Sequence, residues 1–144
     1  MPCLQPEVKY MKTIKLPRTL VNQLLTQAQH HADEEVCGLI SEKAGQPNKL
    51  YPVDNIAADK QHLFEMDPAK QIHAMKAMRE NNESLFAIYH SHPNAPAQPS
   101  TRDIEQSSYP DTLYLIISLS IKGVLEISGF YIRDNHIETV ELLI

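Results

Sequence analysis

At 144 residues the chain suits one domain that can bury its own core, so a bound metal would be functional rather than a folding requirement. A net charge of −5 with no Lys/Arg run argues against a nucleic-acid partner, and the longest apolar run, Leu113–Ile117, is too short to span a bilayer. Two cysteines, Cys3 and Cys37, are no disulfide framework, and the first residues show no signal peptide, so a soluble cytoplasmic protein is expected.

In chain order, residues 1–11 read as an N-terminal extension and residues 12–144 as the domain. Thr13–Leu16 reads as a short strand. Leu16, Leu20, Val21, Leu24, Leu25 and Ala28 recur at helical spacing and predict a helix from about Pro17 to about His31. A buried strand is expected over Glu35–Ile40, a turn over Ser41–Asn48 and a second strand near Lys49–Val53. His62–Met66 reads as a further strand, followed by Asp67 as an N-cap and Pro68 as the first residue of a helix. Ile72, Met75 and Met78 are expected along one apolar side of that helix, which should end near Glu80. Leu85–Tyr89 predicts a buried strand running into His90. A short helix over Thr101–Ser108 follows, then strands near Thr112–Ser118, Val124–Arg133 and Ile137–Leu142, the last two joined by an Asp134-Asn135 turn. The strands are not separated by regular crossover helices, so the fold class is α+β.

The most informative stretch is His90-Ser91-His92-Pro93-Asn94-Ala95-Pro96-Ala97-Gln98-Pro99-Ser100-Thr101-Arg102-Asp103. Side chains alternate along a strand, so His90 and His92 project to the same side and can meet at one point. Asp103, after a proline-rich bend and near a helix start, can supply a third ligand. Two His and one carboxylate suit zinc and leave a fourth position for water, as in hydrolytic sites. Ser100 and Asp103 also have a purely structural reading as a capping box. Ser91 should point away from the metal and make a local hydrogen bond.

Hydrolysis also needs a group that moves protons. Asp33-Glu34-Glu35-Val36-Cys37-Gly38 brings carboxylates to the start of an apolar strand, although on these residues alone both glutamates read better as solvated residues at the strand's start. Cys37 reads as a small buried hydrophobe. His30, His31, His62, His73 and His136 lie in polar surroundings and read as surface residues.

Glu35-x-Cys37-Gly38 upstream of His90-x-His92, with Ser100 and Asp103 following, resembles the signature of the JAMM (MPN+) zinc metalloproteases. Pro52 to Asn55, Phe64–Pro68 and Tyr114–Ser118 extend the likeness to the compact prokaryotic branch, which includes sulfur-carrier-protein–cysteine peptidases. The resemblance implies a JAB/MPN-like curved mixed sheet flanked by helices as a three-layer α/β/α sandwich. It implies His90, His92 and Asp103 as ligands of one Zn²⁺, Glu35 as general acid/base and Ser100 as the residue assisting at the oxyanion. Glu34 does not match, since the family's acid stands two residues before the cysteine. Ser41 departs from the glycine common in relatives, which bears on the local turn. The implied activity is hydrolysis after the C-terminal Gly-Gly of a ubiquitin-like or sulfur-carrier protein. An isopeptidase acting on a modified lysine, or a non-catalytic module of the same fold, are the alternatives. The Asn94–Pro99 loop is expected to wall the groove for the Gly-Gly tail. Oligomeric state is not legible.

Overall fold

Apolar residues stand at successive positions of the central strands, so that each strand sends side chains to both faces of one sheet. The computed structural model describes residues 12–121 and 123–144. The expected extension over residues 1–11, with Cys3, lies outside them. Seven strands and three helices follow in the order β1 (Thr13–Lys15), α1 (Arg18–His30), β2 (Cys37–Lys43), β3 (Gln46–Val53), α2 (Pro68–Glu80), β4 (Ser84–His92), α3 (Thr101–Gln106), β5 (Leu113–Ser118), β6 (Glu126–Arg133) and β7 (His136–Leu143). The sheet runs β1-β7-β6-β5-β4-β2-β3. It is mixed: β1 is parallel to β7 and β4 to β5, while the other neighbours are antiparallel.

Parity along the strands decides which helix covers which face. Leu20, Val21, Leu24 and Ala28 of α1 pack with Ile40, Ala87, Tyr89, Leu113 and Leu115. Ala74 and Met78 of α2 pack with Leu39, Val53, Ile88 and Tyr114 on the opposite face, and Ile104 of α3 joins them. The result is the curled three-layer α+β arrangement expected from the sequence. His90 and His92 continue the parity of Ile88 and therefore emerge on the side of α2 and α3. Gly38 pairs with Tyr89 across β2 and β4. A Cβ at Gly38 would stand 2.6 Å from the Tyr51 carbonyl oxygen and also collide with the Tyr89 side chain, so only glycine lets these strands approach.

Three expectations are corrected. Strands β2 and β3 are longer than predicted, and the turn between them is only Ala44 (φ 51°) and Gly45 (φ 78°), both left-handed as a tight hairpin turn requires. Ser41 lies within β2 at a register shift rather than in a turn. Its hydroxyl accepts from the Lys49 N–H at 3.2 Å, restoring a partner that the bulge takes from the ladder.

His62–Met66 is not a strand; only Met66 forms a single bridge, to Asn55. The Asn55 side chain instead takes up backbone groups of Leu63 and Glu65 that a ladder would have used. In α2, Ile72 is 68% exposed, so the buried side is set by Ala74 and Met78. Steps of three residues retreat about 60° round a helix each time, which carries Ile72 about 120° away from Met78.

A candidate metal and acid–base site

The end of β4 delivers the two histidines. His90 pairs with Cys37 of β2 on one side and Ile116 of β5 on the other, His92 pairs with Ser118 of β5, and both histidines are buried. Between them, Ser91 faces the opposite way; its Oγ accepts from the Val36 N–H at 2.9 Å and donates to the Glu34 carbonyl at 3.4 Å. This hydroxyl ties the segment that carries Glu35 to the strand that carries the histidines.

The third group comes from α3. Ser100 is its N-cap and accepts from the Asp103 N–H at 3.0 Å, while the Ser100 N–H donates to Asp103 Oδ2 at 2.9 Å. This is the capping box expected from the sequence. It aims one oxygen of Asp103 at the histidines: Oδ2 lies 3.1 Å from His90 Nε2 and 3.2 Å from His92 Nε2, and the two Nε2 atoms are 3.1 Å apart.

These three atoms form a nearly equilateral triangle. A tetrahedral ion with nitrogen and oxygen ligands at about 2.0–2.1 Å keeps them about 3.3 Å apart. The triangle therefore has the dimensions of a three-ligand metal site, with donors of the kind zinc takes. Glu35 completes the group: one ligand atom from each of Glu35, His90, His92 and Asp103 lies within 4.8 Å of the others. The chemistry expected of Glu35 and the three ligands is thus brought to one point. Ser100 is joined to it through Asp103, with its side chain exposed. The hydroxyl oxygen accepts the capping bond, which leaves its proton available for donation.

The surroundings tune each group. His92 Nδ1 donates to the Pro96 carbonyl at 2.8 Å, which leaves the Nε2 lone pair facing Asp103. Burial lowers the pKa of His90 against the pull of Asp103. Its ring stacks on Phe64, centroids 4.3 Å apart and planes at 22°, and its Nδ1 has no hydrogen-bond partner among the described residues. Burial works against an ionised Asp103, but the hydrogen bonds to His90 and His92 and the Ser100 N–H outweigh it and hold its pKa well below the usual range. Burial raises Glu35 from 4.5 to about 7, although the charge of His92 opposes the shift.

Cys37 is fully buried, its thiol donates to the Val53 carbonyl at 3.3 Å, and burial pushes its pKa up to about 12. That is a packed side chain and not a nucleophile. His30, His31, His62, His73 and His136 are exposed, as expected.

Clefts open on two sides. A small cavity of about 30 Å³ lies against His90 and Asp103, bounded by Phe64, Pro99 and Tyr114. Phe64, Gln106 and Tyr114 also line an adjoining cleft of about 410 Å³. Beside α1, Gln27, His31, Glu34, Glu35, Asp54 and Asn55 line a separate cleft of about 260 Å³. Of the expected groove wall at Asn94–Pro99, Pro99 alone borders the small cavity. Phe64, Asn55 and the Pro96 carbonyl were not singled out as site residues from the sequence. A histidine ligand demands an acceptor for its second nitrogen, which signals a carbonyl in the following loop; nothing local marks Phe64.

Residues 17–128 match the family described as prokaryotic homologs of the JAB domain. The chain belongs to that family. It is 34% identical over 86 residues to a desampylase from Haloferax volcanii, covering 58% of this chain and 62% of that protein. It is 28% identical over 118 residues to the CysO-cysteine peptidase of Mycobacterium tuberculosis, covering 81% and 80%. The solution structure of protein DSY2949 from Desulfitobacterium hafniense superimposes with a TM-score of 0.80 at 31% identity, over 90% of each chain.

Proposed function

We propose that this protein is a zinc-dependent peptidase that hydrolyses the bond after the C-terminal Gly-Gly of a ubiquitin-like or sulfur-carrier protein. The observation that carries the reading is the convergence of His90, His92, Asp103 and Glu35 in a JAB-family chain. Residues 12–144 are the catalytic domain in this reading. His90 Nε2, His92 Nε2 and Asp103 Oδ2 would hold one zinc ion, which supplies a Lewis acid for water and carbonyl alike. Glu35, poised near neutrality by burial, takes a proton from the attacking water and returns it to the departing amine. The Ser100 hydroxyl donates to the carbonyl oxygen as negative charge develops there. The small cavity against His90 and Asp103 admits glycine and excludes larger side chains.

The names of two relatives favour different leaving groups. The mycobacterial relative is named a CysO-cysteine peptidase, which supports a single-residue or short tail as the leaving group. The desampylase supports a second reading, removal of a ubiquitin-like modifier from a protein. A reducing cytoplasm suits either, given the free buried thiol of Cys37.

The test incubates the purified protein with Gly-Gly-tailed carriers bearing C-terminal extensions, and with lysine-linked conjugates, read by intact mass. Cleavage after the second glycine is expected, lost with chelator and restored by Zn²⁺. A Gly-Leu tail should be refused in competition. No metal uptake, or equal cleavage of Gly-Gly and Gly-Leu tails, overturns the reading.

A further inference from the structure

Asn55, just past the end of β3, has all its hydrogen-bonding capacity engaged at the rim of this site. Its Nδ2 donates to the backbone carbonyls of Glu35 and Leu63, each at 2.9 Å. Its Oδ1 accepts from the backbone N–H groups of Ala57 at 2.9 Å and Glu65 at 3.0 Å. Two donor and two acceptor bonds are what one planar primary amide can make in its plane. Leu63 and Glu65 flank Phe64, and Phe64 is the residue whose ring stacks on His90. One amide therefore grips the backbone of Glu35 on one side and the peptide groups on either side of Phe64 on the other.

The segment needs such a grip. Residues 56–65 contain no strand or helix, and Asn55 and Met66 form one isolated bridge at its neck. The other ties are the Ile56 N–H to the Glu65 carbonyl at 2.8 Å, short turns at Asp59, and the Glu35 N–H to the Lys60 carbonyl at 2.7 Å. None of these besides Asn55 reaches both Glu35 and a neighbour of Phe64. Aspartate keeps the two acceptor bonds but has no N–H to donate, so the grip on Glu35 and Leu63 is lost while Ala57 and Glu65 stay bound. Alanine loses all four.

We infer that Asn55 is a positioning residue that couples the acid–base carboxylate to the metal ligands, by holding the Glu35 backbone and the Phe64 ring against His90 in one unit. This rests on the reading of His90 as a zinc ligand and Glu35 as the acid–base. Asn55 is not among the converging ligand residues; it acts through Glu35 and Phe64. The ring contact steadies a buried histidine whose second nitrogen has no hydrogen-bond partner among the described residues, the task usually given to an acceptor group.

The experiment uses the full chain as Asn55→Asp, Asn55→Ala, Phe64→Leu and the Asn55→Ala/Phe64→Leu double variant. Folding is followed by circular dichroism, Zn²⁺ affinity by competition with a chromophoric chelator, and kcat and KM on a Gly-Gly-tailed carrier at saturating zinc. Both Asn55 variants and Phe64→Leu should weaken Zn²⁺ binding by roughly 10–100-fold. The double variant should bind scarcely more weakly than the worse single one, because one path is broken twice. At saturating zinc, Asn55→Asp should lower kcat by about tenfold or more with KM nearly unchanged, while Phe64→Leu recovers most of its kcat since Glu35 is still held. Wild-type zinc affinity and kcat in the Asn55 variants overturn the inference, as do additive losses in the double variant. So does unfolding of both Asn55 variants with unaltered zinc affinity in Phe64→Leu, which makes Asn55 structural only. A wild-type protein that binds no zinc overturns the functional reading itself, a different result.

Discussion

The Ser100 N–H and the two histidine rings meet the same oxygen of Asp103: Oδ2 is 2.9 Å from the Ser100 nitrogen, 3.1 Å from His90 Nε2 and 3.2 Å from His92 Nε2. The capping reading and the ligand reading of the Ser-x-x-Asp pattern are therefore one device. The helix cap aims the carboxylate oxygen, and the backbone bond helps keep it ionised.

Separate losses follow at Ser100. Ser100→Ala removes both the cap acceptor and the hydroxyl proton, so it should cost about 1 kcal/mol of stability and about 10²–10³-fold in kcat. Ser100→Gly restores most of the cap energy but not the hydroxyl; it should melt near the wild type and remain as slow as Ala. Ser100→Thr should recover both. Equal activity of Gly and wild type in a turnover assay removes Ser100 from the chemistry.

Glu35 and Glu34 should part company. Glu35 is buried with its carboxylate in the metal-site group, whereas Glu34 is half-buried and supplies its carbonyl to Ser91. Glu35→Gln should keep the zinc and lose turnover by at least about 10²–10⁴-fold, since one group serves both proton transfers. Glu34→Gln should be nearly silent. Turnover and bound zinc measured on the same samples check this, and exchanged phenotypes would give the proton work to Glu34.

Most of the architecture is legible in the sequence because strand parity and capping are local. His90 and His92 share a face by alternation, Asp67 and Ser100 are caps by residue type, and Asp134-Asn135 is a turn by composition, with φ of 50° and 63°. What escapes local reading is what depends on a distant partner. His62–Met66 passes for a strand because Leu63, Phe64 and Met66 suit one, while the decision lies with the Asn55 amide. Ile72 passes for core because three-residue spacing resembles one helix face until its drift of about 60° per step accumulates. Phe64 joins the site only through the fold, which lays its ring on His90.

Gly38 gives a test of the sheet independent of the chemistry. The Tyr89 ring of β4 lies over Gly38, with its hydroxyl bonded to Gln27 of α1. Gly38→Ala inserts a methyl 2.6 Å from the Tyr51 carbonyl oxygen, a backbone atom that cannot rotate away. Overpacking of this kind costs about 1–3 kcal/mol. Denaturant titration should show the midpoint falling with an unchanged slope. Gly45→Ala meets no atom within 4 Å but is strained at φ 78°, so it should cost less, on the order of 1 kcal/mol. An undisturbed Gly38→Ala protein would mean that the Tyr51 carbonyl of β3 and the Tyr89 ring do not stand so close to Gly38.

Burial of Glu35 also predicts how the metal-free protein responds to pH. Its carboxyl titrates near 4.5 when unfolded and about 7 when folded, the rise being set first by desolvation. Between those values the folded protein retains a proton that the unfolded chain has released, so raising pH favours unfolding. The stability tied to Glu35 is complete below about pH 4.5, declines through the window and levels off above about pH 7. Its size is on the order of 1–3 kcal/mol. Glu35→Gln has nothing to ionise and should escape the decline. Melting temperatures taken in chelator should therefore diverge, the variant gaining several degrees on the wild type between pH 5 and pH 7.5. Comparing the two proteins at each pH cancels groups that do not sense Glu35. A difference that stays constant across the window, or shrinks as pH rises, would mean that Glu35 is ionised in the folded metal-free protein and that burial does not poise it for proton transfer.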